Sequence, residues 1–155
     1  MKKPGNYSVI VMAIAMSLTD IVLNGQDIKI TENKVQDTSV MLKDGTYTGQ
    51  SRARYIYEPF WGSVSLTVKN GLFTEISFVI RDSLLHETFD EKYEKHFEGN
   101  PVYILQSRND WTGVQTYPKK LSEKQDTNKL DAISGATWSY NIFRAAVGEA
   151  LKNSR

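Results

Sequence analysis

The feature that most constrains the fold is a pair of apolar stretches with a two-residue period on either side of Asn70-Gly71. Apolar residues alternate with polar ones before and after this dipeptide, at Val64, Leu66, Val68, Leu72, Ile76, Phe78 and Ile80. Such alternation is typical of strands that bury one face, and an Asn-Gly pair between two strands is a strong hairpin signal. The sequence therefore predicts an antiparallel hairpin.

The register of this hairpin follows from keeping its apolar side chains on one face. A two-residue turn at residues 70–71 places the charged Glu75 opposite the apolar Leu66. A three-residue loop at residues 69–71 avoids that conflict, and Gly71 then supplies the left-handed conformation of a bulge. We therefore predict the longer loop, which pairs Val68 with Leu72 and Val64 with Ile76.

The segments flanking the hairpin predict one strand and one helix. Residues 46–55 are rich in Thr and Tyr, which favours a strand. Residues 83–98 change to a four-residue period, with apolar side chains at Leu85, Phe89, Tyr93 and Phe97. This period predicts an amphipathic helix that stops at Gly99 and Pro101. The aromatic stripe favours core packing, with stacking on a planar cofactor as the alternative.

Beyond residue 101 the pattern indicates shorter elements and one terminal helix. We predict strands over residues 102–105 and 111–116 and a short helix over residues 118–126. A final helix over residues 140–151 is predicted by apolar residues at three- and four-residue spacing. Because strands and helices do not alternate regularly, the predicted class is α+β. We expect a small single domain with an antiparallel sheet, flanking helices and a C-terminal helix.

The turn before this final helix has the composition of an anion site. Hydroxyl side chains lie at Ser134, Thr137 and Ser139, and Gly135 permits a tight turn. Backbone N–H groups and the helix dipole both favour negative charge at such a position. The simpler interpretation is a capped helix, since Ser and Thr are common N-cap residues. Taken alone, these residues leave both interpretations open.

The same turn resembles the flavinylation motif of the FMN-binding domain family. The matching pattern is Asp131-x-x-Ser134-Gly135-Ala136-Thr137-x-Ser139. The family includes flavoprotein subunits of sodium-pumping quinone reductases and of related ion-translocating ferredoxin oxidoreductase complexes. In those relatives the Thr that matches Thr137 carries FMN through a phosphoester bond. A dedicated flavin transferase makes this bond outside the cytoplasm, with FAD as the donor.

Three further segments support the resemblance, which spans residues 44–151. Residues 44–49, Asp-Gly-Thr-Tyr-Thr-Gly, resemble the D-G-T-Y-x-G that commonly opens the domain. Residues 60–64 and residues 86–88 also follow the family pattern. The chain departs from it at Ser63, where many members have a second Gly, and at Tyr140, where many have Ser or Thr.

The resemblance implies an FMN site with covalent attachment at Thr137. The predicted cofactor-binding residues are Thr137, Ser134, Gly135, Ala136, Trp138, Ser139, Asp131 and Trp61. A flavin ring needs planar apolar surface, and Trp138 adjoins the attachment residue while Trp61 lies in a Gly-containing loop. Phe60, Trp111 and Tyr117 are further aromatic candidates, with ordinary packing as the simpler interpretation.

Asp131 needs a different role, because its carboxylate would repel a phosphate. We expect it to cap the turn or to bind a cation during flavin transfer.

Composition narrows the possible chemistry. The chain has no Cys, which excludes disulfides, thiolate-ligated iron–sulfur clusters and c-type haem, so redox activity would need a bound organic cofactor. Two His residues without close ligand spacing argue against a metal site. The net charge of +1, with Lys and Arg interspersed among acidic residues, argues against nucleic-acid binding.

The first 25 residues differ from the rest of the chain. Lys2 and Lys3 precede an apolar run over residues 9–18, which is the layout of a secretory signal peptide. We expect cleavage before Gln26, with an uncleaved N-terminal anchor as the alternative. Residues 26–43 are then a linker, and residues 44–155 form the FMN-binding domain. Either way we expect the domain outside the bacterial cytoplasm, in the periplasm or on the outer face of the cytoplasmic membrane.

These features favour an exported, flavinylated electron carrier rather than an autonomous oxidoreductase, since no general acid–base pair is evident. Its expected partners are redox donor and acceptor proteins, including membrane-bound ones, and a flavin transferase for maturation. The alternative is a sensor or docking module, without redox turnover, that binds FMN non-covalently or has lost it. A flavin-free secreted adhesion domain is a third interpretation.

Overall fold

Residues 42–53, 57–152 and 154 are the part of the chain described by the structure, which is a computed structural model. The predicted signal peptide or anchor, residues 1–25, lies outside these described residues. So does the predicted linker, apart from Leu42 and Lys43.

The fold is an antiparallel sheet packed against two helices. Four strands, β1 (Gly45–Gln50), β2 (Phe60–Lys69), β3 (Leu72–Asp82) and β4 (Glu87–Thr88), lie in sequence order across the sheet. The helices α1 (Pro101–Lys124) and α2 (Thr137–Leu151) contribute to the same core. Short 3₁₀ helices occur at Ser51–Ala53, Tyr93–Phe97 and Thr127–Lys129. The predicted α+β class with a C-terminal helix is confirmed. Within the described part of the chain, no helix is both long and apolar enough to cross a membrane.

The hairpin of β2 and β3 exists, but its predicted register is wrong. Lys69 lies opposite Leu72, which leaves a two-residue turn. Both turn residues, Asn70 and Gly71, have positive φ angles, 53° and 75°, as a type I′ turn requires. The pairs Val68–Leu72 and Val64–Ile76 are therefore not formed.

A bulge explains how the shorter turn still buries one face. The ladder shifts register between Thr67 and Val68, so that Val68 pairs with Phe73 whereas Thr67 pairs with Glu75. Beyond this shift the apolar residues of both strands return to the same face. The sequence predicted one additional residue in the loop, at residues 69–71. In the structure the additional residue instead forms a bulge within the strand pairing, next to Thr67 and Val68.

The segment after the hairpin is not the helix predicted over residues 83–98. It contains β4 and the 3₁₀ helix Tyr93–Phe97. The buried carboxylate of Asp82 accepts hydrogen bonds from the amides of Leu84 (2.7 Å) and Leu85 (3.2 Å), which turns the chain directly after β3. The four-residue aromatic spacing thus comes from irregular chain packed on the core.

Helix α1 replaces the strands predicted over residues 102–105 and 111–116. The side chain of Asn100 caps it by accepting the amide of Tyr103 (3.2 Å), and Pro101 occupies its first turn. The helix continues through Pro118, which was predicted to begin a new helix. An interior proline loses one helical hydrogen bond, and α1 continues past it with Val114, Tyr117 and Leu121 buried in the core.

We expect Asp82 to make the stability of the domain depend on pH. Its side chain is buried, which raises its pKa, but hydrogen bonds from the Tyr93 hydroxyl (2.5 Å) and two amides hold the pKa below the ordinary 3.8. The folded-state pKa is thus lower than the unfolded one. The carboxylate therefore stabilises the fold above pH 3.8, and this contribution is lost as pH falls through the lower folded-state pKa.

Urea unfolding of the wild type and Asp82→Asn across the acid range measures this effect. The variant should have a lower free energy of unfolding at neutral pH and a flatter pH dependence below about pH 5. Glu91→Gln, which removes an exposed carboxylate, should retain the wild-type slope. An unchanged slope in Asp82→Asn would contradict this explanation.

Candidate functional site

The turn identified from sequence ends where α2 begins. Gly135 has a φ of 79°, Ala136 is the N-cap, and Thr137 is the first helical residue. The methyl side chain of Ala136 cannot accept a hydrogen bond, so the N-cap residue itself does not cap the helix. By helix geometry, the amides of Thr137 and Trp138 lack a carbonyl acceptor within the helix. Two N–H groups thus lie beside the Thr137 hydroxyl at the positive end of the helix dipole.

A carboxylate from α1 caps this helix instead. Oδ1 of Asp110 accepts hydrogen bonds from the amide (3.0 Å) and the hydroxyl (2.9 Å) of Ser139. Oδ2 accepts from Nε2 of Gln106 (2.6 Å), and the same Nε2 donates to the carbonyl of Gly135 (2.8 Å). These contacts fasten the chain to α1 on both sides of Thr137.

The hydroxyls of two tyrosines form hydrogen bonds with the backbone of the turn. The hydroxyl of Tyr117 donates to the carbonyl of Ala136 (2.8 Å) and accepts from the amide of Ile133 (3.1 Å). Tyr117 is fully buried, and this burial raises its pKa. The hydroxyl of Tyr140 donates to the carbonyl of Leu130. Tyr140, one of the departures from the family pattern, therefore helps to hold the backbone that leads into the motif.

The close approach of α1 to the turn depends on Gly113. A Cβ atom at this position would lie 2.5 Å from Oγ of Ser139 and 3.0 Å from Cβ of Ala136. Any larger residue would therefore push α1 away from the start of α2. The distance between Asp110 and Ser139 would then increase.

The three hydroxyls of the motif differ in accessibility. Ser139 is fully buried, and its Oγ donates to Asp110 and to the Ala136 carbonyl (3.1 Å). Thr137 and Ser134 are exposed. Burial thus makes Ser139 unsuitable as an attachment point, whereas Thr137 combines exposure with a place at the helix start.

An aromatic cleft lies next to the motif. It has a volume of about 320 Å³ and is lined by Phe60, Phe89, Phe97, Tyr103, Gln106, Ser107, Asp110 and Trp138. The ring of Trp138 meets those of Phe60 and Phe89 at centroid distances of 5.2 Å. Trp138 directly follows Thr137, so a ligand attached there lies within reach of planar apolar surface. We call this site the Trp138 cleft.

The other aromatic candidates lie elsewhere. Trp61 alternates with Phe60 along β2 and points to the opposite face of the sheet, with the guanidinium of Arg52 5.0 Å from its ring centroid. Trp111 lines a separate, charged depression with Arg108 and Glu94. The structure thus brings Phe60 and Trp138 together in the cleft, and Trp61 does not line it. Its predicted contact with cofactor stays a prediction.

Asp131 lies at the outer end of the motif. Its side chain is 86% exposed and its Oδ2 is 3.5 Å from Nζ of Lys124. Its role as a turn cap or as a cation ligand stays a prediction.

Sequence reasoning missed Gln106 and Asp110. They lie four residues apart on α1, a spacing that places two side chains on one face of a helix. That signal is visible only once residues 101–124 are recognised as helical.

Comparison with known proteins now identifies the family. The family model described as the FMN-binding domain matches residues 22–152. The chain belongs to this family, as its motifs indicated. The crystal structure of the CPE2226 protein from Clostridium perfringens is similar, with a TM-score of 0.57 and 26% identity over 74% of this chain and 89% of that chain. No curated protein matches the chain.

The described residues fit the cofactor of this family. A phosphate needs hydrogen-bond donors, and the amides of Thr137 and Trp138 at the start of α2 provide them. An isoalloxazine ring needs planar apolar surface, and the aromatic walls of the Trp138 cleft provide it. Family membership thus supports flavin binding and electron transfer.

Proposed function

We propose that this protein is an extracytosolic electron-transfer flavoprotein whose FMN is attached by a phosphoester to the hydroxyl of Thr137. One observation carries the proposal: the exposed Thr137 is the first residue of α2 and lies directly beside the Trp138 cleft. The family motif and this geometry point to the same residue.

The start of α2 would hold the phosphate. The amides of Thr137 and Trp138 are its donors, and the helix dipole adds about 0.3 to 1 kcal/mol of stabilisation for an exposed anion. The amide of Ser139 is already used by Asp110 (3.0 Å). The phosphate would therefore lie toward solvent, on the side where the Thr137 hydroxyl and Ser134 are exposed.

The Trp138 cleft would hold the isoalloxazine ring. FMN supplies the reversible uptake and release of electrons, and the protein contributes binding, orientation and exclusion of water. The walls are mainly aromatic, with Gln106, Ser107 and Asp110 as the polar groups. A cleft with this lining suits an electron carrier that exchanges electrons with redox donor and acceptor proteins, including membrane-bound ones.

The proposed location rests on residues 1–25, whose layout is that of a signal peptide. A covalent bond suits an exported carrier, because outside the cell no flavin pool is available to refill an empty site. The mass of the mature protein after expression and cell fractionation tests this part. We expect an extracytosolic form that begins near Gln26, or an anchored full-length form at the membrane. Full-length soluble protein found only in the cytoplasm would contradict it.

Intact mass tests the attachment. In the proposed transfer, Oγ of Thr137 forms a bond to the phosphorus of the FMN moiety of FAD, AMP leaves, and the hydroxyl proton is released. After co-expression with a flavin transferase, the protein should gain the mass of FMN less one water. Its flavin fluorescence should survive denaturing electrophoresis. An unmodified mass with flavin lost on denaturation would instead favour the non-covalent sensor or docking module.

A further inference from the structure

We propose that Gln106 and Asp110 position the acceptor hydroxyl of Thr137 for flavin transfer, an inference that rests on the proposed function. Their side chains form one connected set of hydrogen bonds that reaches Gly135 and Ser139. We call this set the α1 clamp. Neither residue belongs to the motif, and both reach it from another helix.

The clamp acts on the residues that flank the acceptor. Thr137 lies between Gly135, held at its carbonyl by Gln106 (2.8 Å), and Ser139, held at its amide and hydroxyl by Asp110. The ends of helices fray unless their first N–H groups find acceptors. With no cap from Ala136, the clamp fixes the first turn of α2 and with it the direction of the Thr137 side chain.

The charge of Asp110 points to the same role. Its side chain is only 2% exposed, and no salt bridge among the described residues includes it. Burying a carboxylate is costly unless strong hydrogen bonds and a favourable potential compensate. At the start of α2, the amide and hydroxyl of Ser139 donate these hydrogen bonds, and the helix dipole supplies the favourable potential. An anion from the protein thus orders this helix start before any phosphate arrives, and the acceptor is organised in advance.

Gln106→Ala tests the clamp with little risk to the fold, because Gln106 is exposed. With purified flavin transferase and FAD, the initial rate of FMN attachment should fall roughly tenfold or more, since small misplacements of reacting groups have effects of this size. Gln115→Ala is the matched control, an exposed Gln on the same helix. It should react at the wild-type rate.

Two substitutions of Asp110 that remove its hydrogen bonds to different extents distinguish an effect on the position of Thr137 from a general loss of stability. Asp110→Asn keeps an oxygen for Ser139 but turns an N–H group toward Gln106, whereas Asp110→Ala removes both contacts. We expect attachment rates to decrease from wild type to Asn to Ala at a temperature where all are folded. Asp82→Asn, which alters a similarly buried carboxylate outside the motif, should keep the wild-type rate.

Hydrogen exchange of the flavin-free protein gives a readout that does not depend on flavin. Gln106→Ala and Asp110→Ala should accelerate exchange at residues 135–140 and leave β2 and β3 unchanged. If wild type becomes flavinylated and Gln106→Ala reacts equally fast, the clamp proposal is wrong but the proposed function stands. If the wild type is never flavinylated, the proposed attachment at Thr137 is wrong. Faster hydrogen exchange in Gln106→Ala and Asp110→Ala would then show only that the clamp stabilises the start of α2.

Discussion

Replacing Thr137 with alanine is expected to abolish covalent flavin attachment and to leave the fold intact. The side chain is exposed, and the hydrogen bonds that hold the motif use Ser139, Gln106, Asp110 and the tyrosines instead. We therefore expect the free energy of unfolding to change by less than about 0.5 kcal/mol. Intact mass after co-expression with the transferase measures attachment, and urea unfolding measures stability.

Two variants serve as controls for this prediction. Thr137→Ser keeps a hydroxyl at the same position and should retain the adduct. Ser139→Ala removes a buried hydroxyl bonded to Asp110, which should lower stability by about 1 to 3 kcal/mol and slow attachment, but the adduct should still form at Thr137. An FMN adduct that persists in Thr137→Ala would refute attachment at this residue and direct attention to the exposed Ser134.

The hairpin shows how far local patterns determine the fold. Alternation located both strands and the connection at Asn70-Gly71, because a period of two residues follows from strand geometry alone. The register failed because the extra residue can lie in the loop or in the ladder. The predicted loop buries Leu72, whereas the bulge in the ladder buries Phe73 and leaves Leu72 exposed. The choice also depends on contacts from outside the hairpin. Asp44, directly before β1, accepts a hydrogen bond from the amide of Gly71 (3.2 Å), which supports the shorter turn.

Helix α1 shows where local patterns mislead. Gly99-Asn100-Pro101 was interpreted as the end of one helix, yet Asn followed by Pro is equally a start signal, and here it begins α1. Pro118 was interpreted as the start of a separate helix, although it lies inside α1. Gly113 is needed because α1 approaches Ser139 closely, a reason that lies in tertiary structure and is not visible from neighbouring residues.

Part of the candidate site could be predicted from local sequence patterns, and part depends on tertiary structure. Its motif is contiguous, so residues 131–139 could be identified directly from sequence. The residues that support the motif come from α1, and the cleft adds Phe60 from β2 and Phe89 from the segment after β4. Phe60, one of the further aromatic candidates, lines the cleft, whereas Trp61 is one position along β2 and its contact with cofactor stays a prediction. In a strand, that step moves a side chain to the opposite face.

Replacing Gly49 with alanine is expected to cause a large loss of stability. A Cβ atom at Gly49 would lie 2.1 Å from the carbonyl oxygen of Ala146 and 2.3 Å from the amide nitrogen of Ala150. Both are backbone atoms of α2, so no side chain can rotate to relieve the overlap. Either β1 or α2 must shift, which we expect to lower the free energy of unfolding by about 3 kcal/mol. Urea unfolding with detection by circular dichroism measures the change.

Gly148→Ala is the matched control for this prediction. Gly148 lies in α2, and apart from its chain neighbours and the adjacent helix backbone no atom lies within 4 Å of a Cβ built there. Since alanine favours helix over glycine by about 1 kcal/mol, this variant should be as stable as the wild type or more so. Equal effects of the two substitutions would contradict the close approach of β1 to α2. A selective loss at Gly49 would show that this last Gly of the opening motif sets how closely β1 packs against the helix that carries Thr137.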